Sequence, residues 1–135
     1  MTSWAIADYF LRPKPAFFTI ARELRPYTVG MTRKEVKSFP DPLSVANFKL
    51  EIVFEFWGTN STLEDKEVTF EVTSFDLHSG SAKQLKSEKV TLKANQSTEL
   101  AVDRHEGNVD YWATSIVSAR LLDENGQVFT RYANW

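Results

Sequence analysis

The chain has 135 residues, a formal net charge of −2, 42% hydrophobic and 13% aromatic residues, and no cysteine. That is apolar material for one packed domain with a short appendage, which excludes a disordered chain. Lys and Arg are scattered among acids, so no basic face suits nucleic acid, and the missing thiols exclude disulfides and thiolate metal sites.

The first region, Met1 to about Pro26, reads as a strand-like lead followed by a helix. Pro15 suits the first helical position, where its missing N–H is not needed. Phe17, Ile20, Ala21 and Leu24 then recur at helical spacing, and Pro26 ends the helix. So short a helix is marginal alone in water and needs a surface to pack on. From Tyr27 the period changes to two. A strand is expected at Thr28 to Arg33. Phe48, Leu50, Ile52, Phe54 and Phe56 alternate with Lys49, Glu51, Val53, Glu55 and Trp57, the clearest strand in the chain. Gly58-Thr59-Asn60-Ser61 is expected to end it. Val68, Phe70 and Val72 mark the next strand, and Ser79-Gly80-Ser81 a turn. Val90 with Leu92, then Leu100 with Val102, mark two more strands. Ala113 to Leu122 is a longer apolar run, Asn125-Gly126 a hairpin turn, and Val128 to Ala133 the last strand. About seven short strands with turns between them predict a mainly β fold, an immunoglobulin-like antiparallel β-sandwich preceded by one short α-helix. Tyr111 falls where a tyrosine corner of such a sandwich is found; the alternative is a plain core or rim aromatic.

The run from Thr2 to Phe18, which contains Ser3-Trp4, Asp8-Tyr9 and Arg12-Pro13-Lys14-Pro15, resembles the end of the catalytic barrel in family 2 glycoside hydrolases, especially β-mannosidases of the fungal type. Thr19 to Val29 continues the resemblance through the last barrel helix into the following sandwich. Phe56 to Asn60 and Arg131 to Trp135 are similar to that sandwich. The resemblance implies that residues 1–26 are the last strand-helix segment of a truncated barrel, and that residues 27–135 form an immunoglobulin-like domain. It implies a parent enzyme that removes terminal non-reducing β-D-mannose with retention of configuration. The partner of this chain is then the rest of that enzyme.

A retaining glycosidase needs two carboxyl groups about 5 Å apart. In the resembled family both glutamates lie upstream of anything in this chain, and the Asn-Glu pair of the acid/base motif is absent. Ser87-Glu88, superficially like the nucleophile's neighbourhood, reads as a solvated turn. Glu51, Glu55 and Glu71 are expected on wet strand faces. His78 and His105 have no ligand partner at helical spacing, and no serine elbow or phosphate loop is present. No catalytic residue, metal or cofactor is therefore expected.

Trp4, near the end of a barrel strand, is a candidate for contact with sugar in the intact enzyme; the alternative is packing between barrel and helix. Trp57 and Trp112, with Trp135, are candidates for a sugar platform, against the alternative of rim or interdomain packing. By parity Trp57 lies on the face opposite Phe54 and Phe56. Asn60-Ser61-Thr62 and Asn95-Gln96-Ser97 fit the glycosylation pattern, which matters only if the protein is secreted. No signal peptide is visible at Met1 to Phe10, and the compartment stays open between cytoplasm and exterior. No stretch approaches the ~18 apolar residues of a membrane span.

Three functions compete. A non-catalytic β-mannosidase domain predicts no turnover by this chain. An independent carbohydrate-binding module predicts affinity for mannosides through Trp57 or Trp112. A protein-interaction domain of another immunoglobulin-like type leaves the Thr2 to Val29 resemblance unexplained. Without barrel neighbours, Ile6, Tyr9, Phe10, Phe17 and Phe18 are expected to stay partly exposed and to promote self-association.

Overall fold

A computed structural model of the chain describes residues 5–39, 43, 48–106 and 115–134. Trp4, Tyr111, Trp112 and Trp135 lie outside the described residues. One helix, α1 (Pro15–Glu23), precedes seven strands: β1 (Tyr27–Ser38), β2 (Lys49–Asn60), β3 (Lys66–Asp76), β4 (Ala82–Leu92), β5 (Gln96–Glu106), β6 (Ser115–Leu122) and β7 (Val128–Asn134). They form a three-stranded sheet, β1-β2-β5, and a four-stranded sheet, β4-β3-β6-β7, with antiparallel pairing throughout. This is a mainly β, immunoglobulin-like sandwich. Its fourth strand is joined to β3, whereas in an immunoglobulin constant domain the fourth strand borders the other sheet.

Period-two alternation builds the core. Val29, Met31, Ile52, Phe54 and Phe56 point inward from one sheet, and Val68, Phe70, Val72, Leu92, Val117, Ala119 and Leu121 from the other. Phe56 meets Phe70 across the layers edge-to-face at 5.4 Å between ring centroids, with Phe54 stacked beside Phe56 at 6.2 Å. Each buried phenylalanine contributes about 1.5–3 kcal/mol by leaving water. On the side where β4 and β5 are both edge strands, Lys86 reaches Asp103 across the layers at 2.8 Å, and both side chains are largely buried.

Several strands are longer than the apolar pattern suggests. β1 continues to Ser38 because the ladder with Lys49–Ile52 persists after the core ends at Met31. β4 begins at Ala82, and its first half is polar because it is an exposed edge. Ser87 and Glu88 are therefore mid-strand residues opposite Glu71 and Phe70, not a turn. β2 runs through Gly58 and Thr59 to Asn60 before the chain turns. In β5, Ala101 pairs with Phe56 and Glu99 with Trp57, so Leu100 is an extra residue in a bulge. The bulge breaks strict alternation: Leu100 packs on the core while Val102 is exposed.

α1 starts at Pro15 as its sequence dictates, and no side chain caps it. None of its residues is buried, and Phe17, Phe18, Ile20 and Leu24 are exposed.

Candidate functional site

The segment before α1 is an ordered loop. Lys14 N–H donates to the Ile6 carbonyl at 2.9 Å, Asp8 N–H donates to the Arg12 carbonyl at 3.0 Å, and Ala7 bridges to Pro13. The Asp8 carboxylate accepts the backbone N–H groups of Phe10 and Arg12, each at 2.9 Å, and the Arg12 guanidinium. These bonds, that from the Arg12 backbone foremost, hold the Asp8 carboxyl below its ordinary range. Leu11 adopts a left-handed φ of 62°, uncommon outside glycine, at the loop tip. The tip presents Tyr9, Phe10 and Leu11 at 93%, 72% and 85% exposure. With α1 it forms a continuous stretch of sequence rich in exposed apolar side chains, which a free-standing domain has no reason to hold in order.

The second feature lies on the outer face of the β1-β2-β5 sheet. Trp57 points outward, as parity predicts, and is 37% exposed. Its cross-strand neighbour on β1 is Gly30. A Cβ at Gly30 would lie 2.5–2.7 Å from three adjacent atoms of the indole, Cε2, Cζ2 and Nε1. The vacant position is thus over the ring, and the indole lies across the glycine backbone. Only a residue without a side chain permits this approach. The register places Thr28, Thr59 and Ser97 on one flank of Trp57 and Thr32, Glu55 and Val102 on the other, with Glu99 opposite it on β5. The Thr28 and Thr59 hydroxyls are hydrogen-bonded to each other. Thr32 Oγ1 donates to Glu55 at 3.2 Å, and Lys34 Nζ binds both Glu55 oxygens at 3.0 Å. The lysine contact is the main reason the Glu55 carboxyl lies below its ordinary range.

Asn60 corrects one expectation. It is 1% exposed, and its Nδ2, the atom a glycan would modify, donates to the Glu64 carbonyl at 2.8 Å and the Leu92 carbonyl at 3.0 Å. Its Oδ1 accepts from the Thr62 backbone at 2.9 Å and the Thr62 hydroxyl at 2.7 Å. Buried and fully engaged, Asn60 is a clamp joining the β2–β3 loop to the end of β4, not an acceptor for a sugar chain. Asn95 stands in the β4–β5 turn with φ 52°, exposed.

Several acids on the strands face cations. Glu51 lies 3.6 Å from Arg104, and Glu71 lies 2.7 Å from Arg120. Asp65 and Asp76 accept hydrogen bonds in turns, chiefly from the Ala94 backbone and the Ser79 hydroxyl, and both carboxyls lie below their ordinary range. A general acid requires the opposite shift. His105 packs edge-on to Phe54 at 5.9 Å, whereas His78 sits in the β3–β4 turn. Among the described residues no cluster of His, Asp or Glu has the makings of a metal site. A shallow cleft outside the second sheet, between Glu67, Lys89 and Glu124, has no aromatic lining.

Gly30 and Glu99 were not singled out by sequence, and Asp8 was read only as part of the Asp8-Tyr9 resemblance. Gly30 and Glu99 matter through register across strands, which no local pattern encodes. Asp8 carried a local signal: an acid directly before the trio Tyr9-Phe10-Leu11 and four residues before Arg12.

Comparison with known proteins gives the same picture. The chain is 37% identical over 142 residues to β-mannosidase B of Thermothelomyces thermophilus, covering 100% of this chain and 16% of that protein. It is 33% identical over 138 residues to β-mannosidase B of Neosartorya fischeri, covering 98% and 16%. The chain thus spans 16% of the length of these curated relatives. A β-D-mannosidase crystal structure from Dictyoglomus thermophilum superposes with a TM-score of 0.71 at 20% identity, over 98% of this chain and 14% of that one, a likeness of fold. Residues 53–135 match the model of the mannosidase Ig/CBM-like domain. By that match, the chain belongs to the mannosidase Ig/CBM-like domain family.

Proposed function

We propose that this chain is the non-catalytic C-terminal sandwich of a β-mannosidase, and that residues 5–24 are its docking surface on the catalytic barrel. The parent hydrolyses terminal non-reducing β-D-mannose with retention, through two carboxylates that lie in the barrel and not in this chain. On this reading residues 1–26 complete the barrel and residues 27–135 are the accessory domain. The observation that carries the reading is the ordered, uncovered apolar surface from Tyr9 to Leu24, attached to a sandwich of a mannosidase domain family. The acids of the strands support the absence of turnover, because Glu51, Glu55 and Glu71 each pair with a cation rather than with a second carboxyl group.

The test is hydrolysis of a chromogenic β-mannoside by this chain and by a protein extended upstream through the whole barrel. Activity is expected only in the longer protein. Turnover by this chain alone, or by neither protein, refutes the proposal.

A further inference from the structure

We infer that the outer face of the β1-β2-β5 sheet carries a saccharide-stacking platform, centred on Trp57, that takes β-linked manno-oligosaccharides. The choice of mannose rests on the function proposed above; the platform itself rests on geometry.

The indole is held on one side by Gly30, and 37% of Trp57 remains exposed. A ring immobilised in this way offers a flat π-face without losing rotamer freedom on binding. Pyranose rings present a face of C–H bonds that packs on such a surface, with hydroxyls projecting around the rim. Around Trp57 the register places the hydroxyls of Thr59, Thr32 and Ser97, the Glu99 carboxylate, and the Glu55 carboxylate with its Lys34 partner. Carboxylates accept from sugar hydroxyls.

The experiment is calorimetric titration of this chain with mannohexaose, with cellohexaose as the comparison sugar, while the indole N–H signals are followed by NMR. Saturable binding of mannohexaose with a shift of the Trp57 indole signal is expected. Trp57→Ala is expected to weaken it about tenfold or more, the loss that follows when one stacking ring is removed. Trp57→Phe retains part of the face and is expected to fall between. Gly30→Ala, which lifts the ring from its seat, is expected to weaken binding while leaving Trp57 present. Amide spectra of each variant report whether the sandwich is intact, and Trp57→Phe carries the test if the alanine variant does not fold. No saturable binding by the unaltered chain, or equal binding by Trp57→Ala, overturns the inference. Binding of cellohexaose alone overturns the assignment to mannosides. A chain that binds neither sugar, beside a parent that hydrolyses β-mannosides, overturns this inference and leaves the proposed function standing.

Discussion

Replacing Asn60 by aspartate changes one group and leaves shape untouched, which makes it a sharp probe of the clamp at the end of β2. The wild-type amide donates to the carbonyls of Glu64 and Leu92 and accepts twice from Thr62. Asn60→Asp keeps the acceptor and removes both donors. The carbonyls of Glu64 and Leu92 then face a carboxyl at hydrogen-bond distance, at a residue only 1% exposed. If ionised, the new group is an uncompensated buried charge, worth about 3–5 kcal/mol of destabilisation. Its escape is to stay protonated and donate to one of the two carbonyls, so its pKa rises in the folded state. The sign follows: a raised folded pKa means that the folded state holds a proton that the unfolded state gives up. The deficit therefore grows as pH rises above about 4, by up to ~1.4 kcal/mol per pH unit, until the folded-state pKa is passed. Thermal melts of both proteins at pH 4 and pH 7 measure this. A drop on the order of 10–20 °C is expected at pH 7, and a smaller one at pH 4. Asn60→Ala loses the same bonds without a charge, and its deficit, about 2–4 kcal/mol, is expected to be the same at both pH values. A neutral-pH loss of under about 1 kcal/mol for Asn60→Asp, or one that does not change with pH, refutes the clamp.

Four other outcomes follow. Lys86→Ala removes the ion pair that bridges the β4 and β5 edges and is expected to cost about 1–2 kcal/mol by denaturant unfolding, with amide exchange rising first at those strands; unchanged exchange there refutes the bridging role. Asp8, Glu55, Asp65 and Asp76 all have lowered pKa values, so their contribution is present above their unfolded-state pKa and is lost as pH falls through the folded one. Melting temperature should accordingly be flat from neutrality to about pH 5 and decline below about pH 4; equal values at pH 3 and pH 7 count against it. The chain is expected to self-associate through its uncovered apolar segment, and Phe18→Glu, on an exposed helical position, should lower the scattering mass at high concentration without changing the melting temperature. If the chain is passed through a secretory pathway, mass spectrometry should find glycan on Asn95 and none on Asn60.

The sequence revealed those parts of the fold where burial is one-sided. β2 was legible because one face is apolar and the other largely wet, and α1 because Pro15 and Pro26 bracket a helical stripe. The first half of β4 and the tail of β1 were not, since strand segments wet on both faces have no apolar period to read. The Leu100 bulge misled for a related reason: one inserted residue shifts the parity, and parity is all that a sequence displays. For the candidate site, the outward direction of Trp57 could be read from Phe54 and Phe56. Its seat on Gly30 could not, because the two residues meet only through register between separate strands. Asn60 shows the converse. Its triplet matches a modification pattern, yet burial turns the same amide into structural bonding.

The loop closed by Asp8 has a consequence for assembly. The bonds to the Asp8 carboxylate join residues two or four apart in sequence. Such contacts form without waiting for a distant surface, so Tyr9, Phe10 and Leu11 are already fixed in place when a partner surface arrives. A disordered segment gives up several kcal/mol of binding free energy to become ordered on contact, and this loop has little left to lose. Its left-handed Leu11 and caged aspartate thus shift ordering from the encounter to the folding of the loop itself. Disrupting that cage should slow or weaken assembly even though no residue of the contact face is altered.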